Sequence, residues 1–249
     1  MRGEGTVRDL TATGPLILVN AAHPLRTPTN PELVALEGGV LLERRAAAAL
    51  RACLRAAGGT VGILPVSGWR SRAEQQVIWD DTLAKEGLAF TQSYVAMPDC
   101  SEHQTGLAID LGRRQENVDF IRPYFPDEGV CRAFRLAAPR YGFVLRYPAG
   151  REAVTGIAHE PWHFRYVGPI HGEIMARLDL TLEEYLEEVR KYPAGGAPFR
   201  FAAVEWECAL TYLPGGVGEP FRLAGQQGLL CSGDNCGGVV AASWRSTGR

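Results

Sequence analysis

The 249-residue chain contains no long apolar run, no large excess of charge of either sign and no C-x-x-C pair. No apolar stretch approaches the ~20 residues that cross a bilayer, so we expect no membrane span. A formal net charge of −2 gives no polybasic surface, which argues against nucleic acid or an anionic membrane as the main partner. An apolar content of 46% is ordinary for a globular protein.

The amino terminus favours a cytoplasmic protein, and this location sets the expectation for the cysteines. The first residues include an early acid, and the apolar run Leu16–Val19 is too short for the core of a signal peptide. That run instead predicts a buried strand. The six cysteines are scattered, which predicts reduced and mostly buried thiols in such a compartment. The alternative for Cys231 and Cys236 is that they face each other across a turn as a disulfide or as half of a metal site.

The composition of the chain changes at Pro193. The segment P-A-G-G-A-P at 193–198 has the composition of a linker. Beyond it, short apolar and aromatic runs alternate with glycine-rich turns, which predicts a small β-rich module over Phe199–Arg249. We therefore expect one domain over residues 1–192, followed by a linker and a small module over 193–249.

Two motifs contain the residue types of a catalytic zinc site. The first is S-E-H-Q-T-G-L-A-I-D, which ends at Asp110, and the second is E-P-W-H, which ends at His163. Together with His103 they provide two imidazoles and a carboxylate, and catalytic zinc takes three protein ligands and leaves one position open for water. Glu160 is then available to take the proton from that water. We predict Zn²⁺ at His103, Asp110 and His163, with Glu160 as general base.

The residues around these motifs predict strands that bring them together. The segment L-A-I-D-L around Asp110 is otherwise apolar, so it predicts a buried strand whose charge must be paired or bound to a metal. Gly106 permits a turn between His103 and this strand. In the strand after Pro161, alternation places His163 and Arg165 on the same face.

Arg70 lies at a predicted junction between a strand and a helix. Ser71 and Glu74 have the spacing of a capping box, so the helix is expected to begin at Ser71. A guanidinium beside unpaired helix amides suits a substrate carboxylate or a developing oxyanion. On the residues alone, pairing with a surface acid is an equal alternative. Gln75 lies in the first turn of this helix and matters only if the site faces it.

Other histidines compete with this ligand set. His23, His159 and His171 do not complete a better ligand spacing, and histidine has many structural roles. We interpret all three as structural residues.

Residues about 18–192 resemble the zinc D-alanyl-D-alanine carboxypeptidase/dipeptidase family associated with vancomycin resistance, of the VanY, VanX and VanXY kind. The likeness is strongest for the bifunctional, cytoplasmic VanXY type. It rests on several motifs in order: S-G-W-R at 67–70, the Ser101–Asp110 motif, Y-G-F at 141–143 and onward to Pro148, T-G-I at 155–157, and Glu160–Gly168.

The resemblance implies an α+β fold in which a small antiparallel sheet carries the zinc and helices pack behind it. It implies the same three ligands and the same base, Glu160. It gives Arg70 the role of polarising the scissile carbonyl and stabilising the oxyanion. The residues that it places against the substrate are Gln75, Ser101, Tyr94 and Trp162.

The implied activity is hydrolysis of the D-Ala-D-Ala bond in the free dipeptide, in muramyl pentapeptide precursors, or in both. One alternative is a murein L,D-endopeptidase of the lysin type. Another is a non-catalytic peptide-binding module stabilised by zinc, although zinc sites without catalysis are often closed by four ligands. Two features depart from the family: the module Phe199–Arg249 is outside the minimal VanXY pattern, and His159 stands where an aromatic residue is expected.

Overall fold

The computed structural model describes residues 10–26 and 29–248, and these form two compact units. One unit is Val19–Tyr185, and the other combines the described part of Met1–Leu18 with Leu186–Arg249. Helices and antiparallel sheets occur together, so the predicted α+β class is confirmed. The division into separate domains at residue 193 stays a prediction. None of the described helices is long and apolar enough to span a bilayer.

The unit Val19–Tyr185 contains a strand hairpin, a four-stranded antiparallel sheet of order β3-β4-β6-β5, and several helices. Its strands are β1 (Leu33–Ala35), β2 (Leu41–Glu43), β3 (Ile63–Ser67), β4 (Ala108–Arg113), β5 (Phe143–Tyr147) and β6 (Glu160–Tyr166). Its helices are α1 (Arg44–Ala56), α2 (Arg72–Glu86), α3 (Leu88–Tyr94), α4 (Gly129–Ala137), α5 (Glu152–Thr155) and α6 (Pro169–Leu178), and α7 (Leu182–Arg190) spans the division between the units.

One face of the β3-β4-β6-β5 sheet forms the core of this unit. Ile109 on β4 and Phe164 on β6 are buried in one apolar cluster with Leu50 of α1 and Phe134 of α4. Because side chains alternate along a strand, the neighbouring residues Asp110 and His163 project from the opposite face. The packing of α1 and α4 therefore leaves that face of the sheet available for a site.

Helix α2 begins as predicted. The Ser71 hydroxyl accepts a hydrogen bond from the Glu74 amide, and the Glu74 carboxylate accepts one from the Ser71 amide. Gly87 caps the other end of the helix. This box fixes the position at which the chain turns from β3 into α2, and Arg70 lies immediately before it.

One predicted strand is wrong. Leu16–Val19 is buried but forms no strand, because turn residues take its backbone hydrogen bonds: the Asp234 carbonyl accepts from the Leu18 amide, and the Asn235 side chain donates to the Leu18 carbonyl. The segment Leu88–Tyr94, whose sequence gives no clear helical signal, forms α3. The Thr91 amide donates to the Gly87 carbonyl and the Val95 amide to the Thr91 carbonyl, which is the four-residue hydrogen-bond spacing of an α-helix.

The other unit contains the predicted β-rich module. Its strands β7 (Phe199–Ala202), β8 (Trp206–Pro214), β9 (Gly228–Gly233) and β10 (Gly238–Ser246) form an antiparallel sheet of order β7-β8-β10-β9. Leu213, Val239 and Ala241 pack together in its interior. Cys231 and Cys236 are both free thiols.

Candidate active site

The pairing of β4 with β6 brings two of the predicted ligands together. Asp110 lies directly opposite His163 in this antiparallel pair, and opposed residues project from the same face of a sheet. His103 comes from a short 3₁₀ helix, Glu102–Thr105, that precedes β4. The chain then turns at Gly106, which has a left-handed backbone with φ of 71°, a conformation that glycine adopts without strain.

His103, Asp110 and His163 converge in a buried group. Their potential ligand atoms all lie within 4.8 Å of one another. His103 Nε2 is 3.2 Å from Asp110 Oδ2, and His163 Nδ1 is 3.0 Å from Asp110 Oδ1. Two imidazole nitrogens and a carboxylate oxygen are a donor set that suits zinc. Within the described ranges, this group is the one arrangement of histidine, cysteine and acidic side chains that meets a metal-site geometry.

The orientation of the His103 ring is fixed by the backbone before α2. His103 Nδ1 lies 2.7 Å from the carbonyl oxygen of Gly68, which leaves Nε2 directed at the group. A Cβ at Gly68 would lie 2.1 Å from the Leu41 carbonyl oxygen, so only glycine permits this approach. Burial and the nearby Arg70 guanidinium lower the pKa of His103 to about 4. Its ring is therefore neutral at pH 7, as a metal ligand requires.

Glu160 lies beside the same group. Its Oε2 is 3.5 Å from His163 Nδ1. Strict alternation along β6 would place residues 160 and 163 on opposite faces, but the pairing with β5 is irregular between Leu145 and Tyr147, and this brings Glu160 to the side of His163. Burial, supported by the charge of Asp110, raises the pKa of Glu160 to about 8.

The remaining predicted residues line one cavity around this group. Arg70 borders the cavity, and its Nε is buried without a hydrogen-bond partner. Gln75 donates to the Ala96 carbonyl through Nε2, while its Oε1 is buried and unpaired. Trp162 borders the cavity and also belongs to the apolar core. All the residues expected at the substrate are found in the lining: Arg70, Gln75, Tyr94, Ser101 and Trp162.

The competing histidines have other partners. Asn20 accepts a hydrogen bond from the His23 amide, and its side chain also lies near the His23 ring. His159 Nδ1 is 2.9 Å from the Tyr147 carbonyl oxygen, and His171 Nδ1 is 2.6 Å from the Tyr185 hydroxyl. None of the three belongs to the potential metal group.

The sequence reasoning missed several buried residues next to His163. Glu102 pairs with Arg146 and Arg165, and the side chains of all three are fully buried. Although burial opposes it, the charges of Arg146 and Arg165 hold the pKa of Glu102 well below its usual range. Tyr147 borders the cavity and packs 4.8 Å from the His163 ring. One signal was available for Arg165, which shares a strand face with His163.

A buried group of two histidines and an aspartate with a glutamate beside it, on a small antiparallel sheet, is characteristic of a metallopeptidase. The comparisons with known proteins define the class further. Residues 39–169 match the family model described as VanY, D-alanyl-D-alanine carboxypeptidase. This chain belongs to that family.

Similar proteins agree with this assignment. The bifunctional D-Ala-D-Ala dipeptidase and D-Ala-D-Ala carboxypeptidase VanXYC of Enterococcus gallinarum is 42% identical over 175 residues, which are 68% of this chain and 92% of that protein. The vancomycin resistance D,D-dipeptidase VanXYg, solved with a phosphinate analogue of D-Ala-D-Ala, is 40% identical, with a TM-score of 0.87 over 95% of this chain and 96% of the other. A VanY D,D-pentapeptidase from a VanB-type resistance cassette, solved as a point mutant in complex with Zn(II), is 33% identical, with a TM-score of 0.61 over 69% of this chain and 98% of the other.

These shares bear on the β-rich module, which the sequence places outside the minimal VanXY pattern: VanXYC is 92% covered by 68% of this chain, whereas VanXYg extends further. A match over 95% of this chain includes most of Phe199–Arg249. The VanY structure, in contrast, is almost wholly covered by 69% of this chain. The module is therefore shared with at least one VanXY protein.

Proposed function

We propose that this protein is a zinc-dependent D,D-peptidase that releases D-Ala from free D-Ala-D-Ala and from peptidoglycan pentapeptide precursors. The observation that carries the proposal is the convergence of His103, Asp110 and His163 in a buried group with Glu160 beside it. The relationship to VanXYC, whose name states both activities, supports the pair of substrates.

The residues present fit a zinc ion. The ligand atoms would be His103 Nε2, a carboxylate oxygen of Asp110 and His163 Nδ1, since each faces the shared space. Asp110 Oδ1 is buried without a hydrogen bond, a costly state for a carboxylate that a cation would relieve. Zinc, when bound, supplies the Lewis acidity that lowers the pKa of a water molecule and polarises a carbonyl group.

Glu160 is placed to move the proton in this reaction. Its carboxylate lies next to the potential ligand His163, so it can accept a proton from the attacking water and deliver it to the leaving amine. A carboxyl group in this buried position, next to the proposed ligands, can hold that proton between the two transfers.

Arg70 is proposed to stabilise the oxyanion. The negative charges of Asp110 and Glu160 stabilise its guanidinium group against the effect of burial, which lowers its pKa. Its buried Nε has no hydrogen-bond partner among the described residues. A buried, unpaired donor on a residue that lines the cavity is available for negative charge that develops on the scissile carbonyl. The proposal further assigns the terminal D-Ala to the residues around the cavity, Gln75, Ser101, Tyr94 and Trp162.

The proposal includes a cytoplasmic location. All six cysteines are free, including the exposed Cys231, and free thiols are typical of a reducing compartment. Labelling of the protein with a maleimide, directly after lysis and without reductant, is expected to modify the accessible thiols. Disulfide-bonded cysteines in that experiment would contradict this location.

The deciding experiment measures D-Ala release by the purified protein from free D-Ala-D-Ala and from UDP-muramyl pentapeptide, before and after chelation and zinc addition. We expect release from both substrates, loss of release on chelation and recovery with zinc. Release from one substrate alone would assign the enzyme to the dipeptidase or the carboxypeptidase side.

An L-Ala-D-Glu peptide tested in parallel addresses the L,D-endopeptidase alternative. Cleavage of this peptide and of neither D-Ala-D-Ala substrate would replace the proposed function by that alternative. No cleavage of any substrate by the zinc-loaded protein would favour the non-catalytic module.

A further inference from the structure

A chain of buried charges lies behind His163 and has no role in the mechanism above. Glu102 Oε1 is 2.7 Å from Arg146 Nε and 2.8 Å from Arg165 Nη1. Arg146 also pairs with Glu183, at the first turn of α7, through both terminal nitrogens. Two carboxylates and two guanidinium groups therefore balance one another in this chain.

The two oxygens of Glu102 have different surroundings. Both arginines contact Oε1, whereas Oε2 is buried without a hydrogen bond and lies 3.6 Å from His163 Nε2. His163 Nε2 is likewise buried without a hydrogen bond. Two unsatisfied polar atoms that face each other in a buried place are natural partners, since each would otherwise carry a desolvation cost.

The two nitrogens of His163 therefore face different groups. Nδ1 lies near the carboxylates of Asp110 and Glu160, at 3.0 and 3.5 Å, and Nε2 faces Glu102. Metal-binding histidines commonly donate their second ring N–H to a carboxylate or a carbonyl group, which fixes the tautomer and makes the ligating nitrogen more basic. His103 has a neutral carbonyl group, that of Gly68, in the equivalent place.

We infer that Glu102 is a positioning residue that holds His163 in the tautomer with hydrogen on Nε2, so that Nδ1 is free to bind the metal. The inference rests on the zinc site of the proposed function. Arg146 and Arg165 fix Glu102 by occupying Oε1, which leaves Oε2 for the imidazole. An ion pair that served stability alone would not need an unshared oxygen directed at a ligand.

The substitution Glu102→Gln tests this assignment through the geometry of the amide. Both arginines require an acceptor at the position of Oε1, so the amide oxygen takes that place and its NH₂ group faces His163. A donor there opposes hydrogen on Nε2 and favours the other tautomer, in which Nδ1 is protonated and cannot bind metal. We expect zinc affinity to fall about 10–100-fold, as for other lost partners of metal-binding histidines.

Glu183→Gln is the matched control. It also removes a carboxylate from Arg146, but the contacts described for Glu183 are with Arg146 and Asn20 and do not include His163. Zinc affinity, measured by competition with a chromophoric chelator, is expected to stay within about threefold of the wild-type value, since residues that share no direct contact usually have independent effects. An equal loss of zinc affinity in both variants would show that Glu102 acts only as a structural ion-pair partner, and would overturn the inference.

A second measurement needs no variant and distinguishes this inference from the proposed function. In the zinc-loaded wild-type protein with ¹⁵N-labelled histidine, NMR is expected to show His163 protonated at Nε2 and bound through Nδ1. Binding through Nε2, in an enzyme that still releases D-Ala with zinc, would overturn the inference and leave the function intact. A wild-type protein that binds no zinc would overturn both.

Discussion

Both units contain a four-stranded antiparallel sheet, yet their buried strand positions differ in chemistry. The sheet β3-β4-β6-β5 buries Asp110, His163 and Arg165. In the sheet β7-β8-β10-β9, the two central strands are β8 and β10. Their buried positions carry no carboxylate, imidazole or guanidinium group. Architecture alone therefore does not provide a site, because function depends on which side chains the strands carry.

The difference also shows how charges are accommodated inside a sheet. Each buried charge of the first sheet has an opposite charge or a potential metal partner within a few ångströms, as for Asp110 between two imidazoles. The buried positions of β10 offer only alanine, valine, glycine and serine. A carboxylate introduced there would have no such partner.

The largest effect is expected from a substitution that removes the proposed base from the first sheet and leaves the packing of that sheet unchanged. Glu160→Gln keeps the size of the side chain but cannot accept the proton of water, so kcat is expected to fall about 10³-fold. Zinc content and the temperature of unfolding should be close to those of the wild type. Glu152→Gln, at an exposed position in α5, is the control and should retain kcat within about twofold. A folded, zinc-loaded Glu160→Gln enzyme with wild-type kcat would exclude Glu160 as the base.

The next effect tests the second sheet by adding a charge to it. Ala241→Asp places a carboxylate at a buried position of β10, between Thr211 and Cys231. We expect the free energy of unfolding to decrease by about 3–5 kcal/mol, since the charge is uncompensated. Leu230→Asp, at a position of β9 that is 48% exposed, should cost less than about 1 kcal/mol. Denaturant unfolding of both variants measures this difference. Equal decreases in the free energy of unfolding would show that burial of the position does not determine the effect of the charge.

The smallest effect concerns a buried histidine outside the candidate site. Burial lowers the pKa of His171 to about 4, whereas in the unfolded chain the ordinary value is about 6.5. Below pH 6.5 His171 binds a proton in the unfolded state, whereas in the folded state it binds one only below about pH 4. Stability therefore falls as the pH decreases from 6.5 to 4. The loss attributable to His171 is about 3 kcal/mol at pH 4.

His171→Gln removes this titration, because glutamine can still bond the Tyr185 hydroxyl but binds no proton. The free energy of unfolding, measured from pH 7 to pH 4, should therefore fall less steeply in the variant than in the wild type. Parallel curves for the two proteins would contradict the prediction. His103 has the same low pKa of about 4 but lies in the potential metal group. His171 therefore shows the effect of burying an imidazole without any role as a ligand.

The sequence contained enough to predict the candidate ligands and the helix that follows Arg70. His103 and Asp110 lie in one short motif with a glycine between them, and the capping box at Ser71 depends on residues three positions apart. Such signals are local, so they can be read without knowing how distant segments pair. The group of His103, Asp110 and His163 was brought together as expected, while the roles of its members stay predictions.

What escaped prediction depends on long-range pairing. Glu102 is 44 positions from Arg146 in the chain, and nothing in a single sequence indicates that these two side chains meet. Glu160 was expected beside His163 from the motif, but the irregularity between β5 and β6 that brings it there cannot be predicted from alternation. The helix α3 was not predicted because Thr91 and Tyr94 have weak helix propensity, and tertiary context rather than local sequence decides the conformation there.

The direct opposition of Asp110 and His163 has a consequence for the fidelity of folding. A slip of β6 by one residue against β4 would turn His163 to the apolar face and place Trp162 or Phe164 beside the buried carboxylate. Such an error carries the full cost of an unpaired charge, whereas a sheet of alanine and valine would tolerate it more easily. The residues proposed for chemistry thus also destabilise misaligned pairings of β4 and β6. A bound ion would stabilise only the native register.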